Sequence, residues 1–178
     1  MPYRSSRDRP ADAGRIVEVE PLSAEAFAPF GDVVTADDSG RPANHGTAAR
    51  HDRLARLECK IPGATPNLAL FDVRGENLPL RLRGLERHPG TTQAFIPMTA
   101  ARYLVVVCPD DGAGRPDAGA LRAFAAPGDV AINYRAGAWH HPLIALDADA
   151  RFAMLAWEDG TAADTETAEL PAPVTVAE

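Results

Sequence analysis

Residues 121–133 read LRAFAAPGDVAIN, and this stretch contains the clearest signal of the fold class. Two short, mainly apolar segments, 121–125 and 130–133, flank the tetrapeptide Ala126-Pro127-Gly128-Asp129. Adjacent Pro and Gly are typical of a turn, because proline fixes its φ angle and glycine accepts positive φ. The stretch therefore predicts two short strands joined by a turn.

The same alternation of short apolar runs and turn residues continues along the chain. No long amphipathic helix separates the runs, and 16 Pro and 14 Gly among 178 residues indicate many turns. We expect a mainly β domain, an antiparallel barrel or sandwich with a few short helices, rather than a doubly wound α/β sheet. Ser23 predicts a short helix through Phe27, with Gly31 as its stop. The other predicted strands are 53–61, 68–74, 93–97, 103–108, 142–146 and 152–157.

The two ends of the chain differ in composition from its middle. Residues 1–14 are polar and charged, which predicts a disordered leader. Residues 161–178 are rich in Ala, Thr, Pro and acidic side chains, which predicts a tail that lies on the surface or is disordered. A single folded domain is therefore expected over residues 15–160.

Charge and motif content exclude several classes of function. The net charge of −7 disfavours binding to nucleic acid and to anionic membranes. The first fifteen residues hold no apolar core of a signal peptide, so we expect a cytoplasmic protein. Cys59 and Cys108 form no CxxC pair and are predicted to be buried structural thiols. Dinucleotide-binding, P-loop and serine-hydrolase motifs are missing from the sequence.

The segment LERHPGTTQAFIP at 85–97 contains the most informative polar residues. Glu86 and His88 are two residues apart, so on a strand both side chains point to one face. After the Pro-Gly turn, an antiparallel return could bring Gln93 opposite this pair, as a polar cluster inside a barrel. The alternative is a solvated strand end before a turn, and spacing alone does not decide between the two.

Two further segments hold candidate functional side chains. His140 and His141 are neighbours and would point to opposite faces of a strand, so one faces an interior cavity and the other is structural. A buried, hydrogen-bonded structural histidine is the alternative. In the loop 44–52, the guanidinium of Arg50 could fork onto a carboxylate, although a surface arginine is the commoner case.

Taken together, LERHP at 85–89, TQAFIPM at 92–98, LRAF at 121–124 and WHHPL at 139–143 closely resemble the ureidoglycolate lyase family. The resemblance covers roughly residues 17–158. It implies a cupin-like β-barrel, commonly a homodimer, that cleaves (S)-ureidoglycolate to glyoxylate and urea in the allantoin branch of purine breakdown. Two alternatives are a hydrolase that releases ammonia and a non-catalytic, cupin-like sensor of small carboxylates.

The resemblance also implies roles for particular residues. The proton-transfer candidates are Glu86, His88 and His140, and the proposed substrate contacts are Asn44, Arg50, Gln93 and Tyr134. Positions like those of cupin metal ligands suggest that a divalent ion, nickel, manganese or zinc, binds to Glu86, His88, Gln93 and His140. Gln93 stands where the usual cupin pattern has Glu, and neutral Gln is a weak ligand. No organic cofactor is expected.

Overall fold

The computed structural model describes residues 14–178, so the predicted leader at 1–14 lies almost wholly outside the described residues. Strand makes up 53% and helix 8% of the structure, which confirms the mainly β prediction. The elements are β1 (Ile16–Pro21), α1 (Ala24–Phe27), β2 (Gly31–Val34), β3 (Arg41–Ala43), β4 (Ala48–Arg50), β5 (Thr65–Val73), β6 (Gly75–Glu76), β7 (Leu80–Arg87), β8 (Gln93–Pro97), β9 (Arg102–Cys108), β10 (Arg122–Pro127), β11 (Ala131–Tyr134), β12 (Trp139–His140), β13 (Ile144–Leu146), β14 (Ala150–Glu158) and β15 (Glu166–Ala177), with 3₁₀ turns at Asn44–Gly46, Ala118–Ala120 and Ala162–Asp164.

Two large sheets build the fold. In the first, the strand order is β10-β1-β15-β7-β12-β9-β13-β6, and β9 also pairs with β10. That extra pairing closes six of its strands into a barrel. The second sheet has the order β2-β11-β8-β14-β5, while β3 and β4 form a separate hairpin. The closed barrel and the antiparallel pairings agree with the predicted cupin-like class.

Strand β9 separates two apolar cores because both of its faces are buried. Leu104, Val106 and Cys108 belong to the core inside the barrel. Tyr103, Val105 and Val107 point the other way, into the core between the barrel and the second sheet. This double burial explains why β9 reads as a continuous apolar run in the sequence.

The last strand, β15, corrects the prediction of a surface or disordered tail at 161–178. It pairs in parallel with β1 and antiparallel with β7, so it is part of the barrel wall. Leu170, Val174 and Val176 bury their side chains in the barrel core. The pattern was obscured because a register shift between Glu169 and Val174 breaks the alternation, and only one face of the strand is buried.

Some local predictions were right and others wrong. As predicted, Ser23 caps α1 by accepting from the Ala26 N–H, and the helix ends at Phe27. Gly31, predicted as the stop of the helix, begins β2. Residues 53–61 are not a strand and contain only an isolated bridge from Cys59 to Thr91. Cys59 is exposed rather than buried, whereas Cys108 is buried as predicted. Within residues 14–178, no helix is long and apolar enough to span a membrane.

Candidate active site

Three chemically competent side chains meet where β7 and β12 lie side by side. Glu86 is near the end of β7, and His140 of β12 is its direct partner in the antiparallel register. Directly opposed residues share a face, and His88 follows two positions after Glu86 on the same side. One ligand atom from each of the three residues lies within 4.8 Å of the others. We call Glu86, His88 and His140 the triad.

The triad lies between the barrel and the second sheet. Trp139 points into the barrel core, so the next residue, His140, points outward. There its ring stacks on that of Tyr134 from β11, with 4.0 Å between ring centroids and 13° between planes. The expectation of a polar cluster inside a barrel is therefore corrected: the triad is on the outer wall of the closed barrel, covered by the second sheet.

Hydrogen bonds fix the orientation of both triad histidines. Nδ1 of His88 is 2.9 Å from the carbonyl oxygen of Asp164, and Nδ1 of His140 is 2.9 Å from that of Ala138. A carbonyl oxygen can only accept, so each Nδ1 donates its proton and each neutral ring keeps a lone pair on Nε2. Both Nε2 atoms are buried without a hydrogen-bond partner in the described part of the chain.

Burial also shapes the charge state of the triad. His140 is 1% exposed, and this burial lowers the pKa of its imidazole to about 3, which favours the neutral ring. Burial raises the pKa of the Glu86 carboxyl, and the electrostatic influence of the nearby His88 ring partly opposes this rise. Oε1 of Glu86 is 3.7 Å from Nε2 of His140. The triad thus places two imidazole lone pairs beside one carboxylate.

This donor set fits a divalent metal ion. Two lone pairs and a carboxylate facing one another are mutually unfavourable unless a proton or a cation lies between them. Two His nitrogens and one carboxylate form the ligand set of many divalent metal centres, and carbonyl oxygens commonly hold the other ring nitrogen of a ligating histidine. The unpartnered Nε2 atoms of His88 and His140 therefore support the predicted metal site.

The other predicted site residues fall into two groups. Gln93 of β8 is the register partner of Tyr134, so both side chains are on the sheet face that meets the triad. Gln93 is 5% exposed, and its Oε1 has no hydrogen-bond partner among the described residues. Asn44 and Arg50 instead lie on the exposed β3–β4 hairpin, where Nε of Arg50 pairs with Asp52 at 2.7 Å.

A groove reaches the triad from outside. It has a volume of about 440 Å³ and runs along β7 and β15. Glu86, whose side chain is 24% exposed, is the triad member that lines it, with Arg81, Arg83 and Thr167 nearby. A small substrate in this groove would therefore meet the Glu86 carboxylate first.

Sequence reasoning missed the groups that orient the triad histidines. The partners of His88 and His140 are the backbone carbonyls of Asp164 and Ala138, and a backbone carbonyl leaves no mark in the residue type. The two cations of the groove, Arg81 and Arg83, alternate with apolar residues along β7 and read as ordinary solvent-facing positions.

The fold and the triad define a cupin-like β-barrel protein with a histidine–carboxylate site. Comparison with known sequences narrows this class. The family model "Ureidoglycolate lyase" matches residues 14–177, and the chain therefore belongs to the ureidoglycolate lyase family.

Several relatives of this chain are named ureidoglycolate lyase. A ureidoglycolate lyase from Burkholderia cepacia is 44% identical over 142 residues, covering 79% of this chain and 78% of that protein. One from Pseudomonas fluorescens is 42% identical over 75% of this chain and 79% of its own length. One from Azotobacter vinelandii is 39% identical over 79% of this chain and 84% of its own length.

Proposed function

We propose that this protein is a ureidoglycolate lyase that cleaves (S)-ureidoglycolate to glyoxylate and urea, a step of allantoin degradation. The observation that carries the proposal is the triad, a buried pair of imidazole lone pairs beside a carboxylate, in a chain that matches the family model over residues 14–177. The geometry supports chemistry on a small polar substrate, and it gives no reason to prefer the hydrolase or the sensor.

The reaction needs one proton to move from oxygen to nitrogen. The hydroxyl O–H bond of the substrate breaks, a carbon–oxygen double bond forms, and the carbon–nitrogen bond to the ureido group breaks. The departing nitrogen gains a proton, so the products are glyoxylate and urea, and all atoms balance. A single acceptor that is close to both atoms can carry this proton.

We assign that acceptor role to Glu86. Its carboxylate lines the groove, whereas Nε2 of His88 and Nε2 of His140 have no access to solvent. Glu86 takes the hydroxyl proton at a carboxylate oxygen and returns it to the departing nitrogen. His88 and His140 hold their lone pairs toward the same point, because Asp164 and Ala138 fix their rings.

The proposed divalent ion, nickel, manganese or zinc, would be held by Nε2 of His88, Nε2 of His140 and the Glu86 carboxylate, with Oε1 of Gln93 as a further candidate. When bound, such an ion supplies Lewis acidity that makes a nearby hydroxyl easier to deprotonate. Tyr134 packs flat on His140 and covers the site from the second sheet, which excludes water from that side.

Product analysis tests the proposed function. Purified protein is given each enantiomer of ureidoglycolate, and urea, ammonia and glyoxylate are measured against the spontaneous background, with and without a chelator. We expect urea and glyoxylate in equal amounts from the (S) form, and loss of turnover with the chelator. Ammonia in place of urea would assign the hydrolase, and binding without turnover would assign a sensor.

Arg50 remains the proposed partner of the substrate carboxylate, together with Asn44. Its Nε pairs with Asp52, so the terminal nitrogens are those that could fork onto a carboxylate. We expect Arg50→Gln to raise KM about tenfold or more with little change in kcat, because a hydrogen bond to a charged group contributes roughly 1.5–3 kcal/mol. Steady-state kinetics on ureidoglycolate measure this.

Arg151→Gln is the matched control for Arg50. Arg151 is also an exposed arginine whose Nε pairs with an aspartate, Asp72, at 2.7 Å. Its KM should equal that of the unmodified protein. An unchanged KM in Arg50→Gln would remove Arg50 from the substrate contacts, and the groove arginines Arg81 and Arg83 would then be the next to substitute.

We further propose a cytoplasmic homodimer, with the outer face of the second sheet as the contact. Leu70, Ala153 and Ile96 form a row across three strands of this face. Leu70 is 61% and Ile96 48% exposed, which is unusual for clustered large apolar side chains. A second copy of the same face would cover them.

The variant Leu70→Glu tests this contact. We expect it to run as a monomer in size-exclusion chromatography with light scattering, since a charge buried against its own copy is strongly unfavourable. The control Ile16→Glu changes a residue on β1 that is 66% exposed and should leave the dimer intact. A dimeric Leu70→Glu would place the contact elsewhere, and a monomeric unmodified protein would overturn the dimer itself.

A further inference from the structure

The turn between β14 and β15 lies directly against the triad. Near the end of this turn, Asp164 has its carbonyl oxygen 2.9 Å from Nδ1 of His88. The hydroxyl of Thr165 is farther from the same nitrogen, at 3.3 Å. The carbonyl of Asp164 is therefore the main partner of the His88 ring.

The side chain of Asp164 closes the same turn. Its Oδ1 accepts from the Asp159 N–H at 3.1 Å, and its Oδ2 accepts from the Gly160 N–H at 2.9 Å. The turn is completed by Asp159, which accepts from the Thr161 N–H, and by Thr161, which caps Ala163. One residue thus ties the turn with its carboxylate and contacts His88 with its carbonyl.

The two triad histidines differ in how they are held. Ala138, the partner of His140, is two residues away in the chain, so that contact is local. Asp164 is 76 residues from His88, so this contact forms only once β15 has paired with β7. The orientation of His88 therefore depends on a distant turn keeping its shape.

We propose that Asp164 is a positioning residue: its carboxylate holds the 159–165 turn so that its carbonyl keeps His88 in the Nδ1–H tautomer, with the Nε2 lone pair directed at the triad. Without that acceptor, the imidazole proton can move to Nε2 and occupy the point where a cation would bind. This inference deepens the proposed function. Only the effect of Asp164 on ureidoglycolate turnover rests on that function; the His88 tautomer and zinc binding do not.

The experiment compares Asp164→Ala with Asp164→Asn in the full chain. In metal-free protein, ¹⁵N NMR of the histidine rings reports which nitrogen carries the proton. We expect Nδ1–H at His88 in the unmodified protein and a mixture of tautomers in Asp164→Ala. Calorimetric titration with zinc chloride should show that Asp164→Ala binds zinc about tenfold or more weakly than the unmodified protein. Losses of this size are typical when a group that holds a metal-binding histidine is removed. Asp164→Asn keeps an acceptor oxygen and should recover most of the affinity.

Two controls separate positioning from a general structural effect. Asp111→Ala opens an equivalent turn, since Asp111 accepts from the N–H groups of Ala113 and Arg115, but it does not bond to His88. Thr165→Val removes the longer contact to His88. Both should keep the tautomer and the zinc affinity of the unmodified protein.

Several results would overturn the inference. An Nε2–H tautomer at His88 in the unmodified protein would do so even if Asp164→Ala failed to fold. So would an unchanged tautomer and zinc affinity in folded Asp164→Ala, or equal losses in Thr165→Val. Neither readout uses ureidoglycolate, so failure of the proposed substrate would leave this test intact.

Discussion

Replacing His140 by Ala should abolish stoichiometric zinc binding and lower kcat for ureidoglycolate by a factor on the order of 10³. His140 is buried, its ring stacks on Tyr134, and its Nε2 is directed at Glu86 without another partner among the described residues. Its removal takes one of the two imidazole lone pairs out of the triad. Zinc titration and steady-state kinetics measure the two losses.

His141→Ala is the neighbouring control. His141 follows His140 in the chain but is not a member of the triad, and its Nδ1 is 2.8 Å from the Pro142 carbonyl oxygen. We expect this variant to keep zinc binding. Because His140→Ala leaves a cavity beside Tyr134, circular dichroism must show that the variant is folded before its losses are interpreted. Normal turnover by folded His140→Ala would exclude His140 from the chemistry.

The variant Glu86→Gln should lose turnover almost as severely. The substitution keeps the shape of the side chain but removes the negative charge and the proton acceptor that lines the groove. We expect kcat to fall on the order of 10²- to 10⁴-fold, with a much smaller change in KM, since general acid–base catalysis contributes that range. Single-turnover kinetics would separate the chemical step from substrate binding.

Glu166→Gln provides the comparison for Glu86. Glu166 lies on the adjacent strand β15, where it pairs with Arg87 at 2.7 Å, and it is not a member of the triad. Its kcat should remain close to that of the unmodified protein. If Glu86→Gln also kept its kcat, the proton acceptor would have to be one of the histidines.

The fold class could be predicted from the sequence because the strands are short, apolar and bounded by turn residues. Strand β8 was predicted with its observed bounds, and β9 was predicted to within one residue. By contrast, β15 was missed, because a strand with one buried face and a register shift has no clear alternation. The pairing of β1 with β15 in the barrel wall joins the two ends of the described chain, and local composition does not encode such long-range pairing.

The part of the candidate site formed by strand side chains was predictable from residue spacing. Side chains alternate between the two faces of a strand, so the two-residue spacing of Glu86 and His88 predicted a shared face. By the same alternation, only one of His140 and His141 was expected to join them. The structure brings Glu86, His88 and His140 together. Arg50 illustrates the limit of this reasoning. A guanidinium suited to a carboxylate was recognised in the sequence, but its neighbour Asp52 on the hairpin already binds its Nε.

The contact between Asp164 and His88 couples occupancy of the site to the integrity of the barrel. A ligand that binds only the folded site adds RT ln(1 + [L]/Kd) to the free energy needed to unfold any segment on which that site depends. Since β15 holds the turn that fixes His88, its backbone amides belong to that cooperative unit. Slower hydrogen exchange along the final strand would then report binding at a triad formed by residues much earlier in the chain.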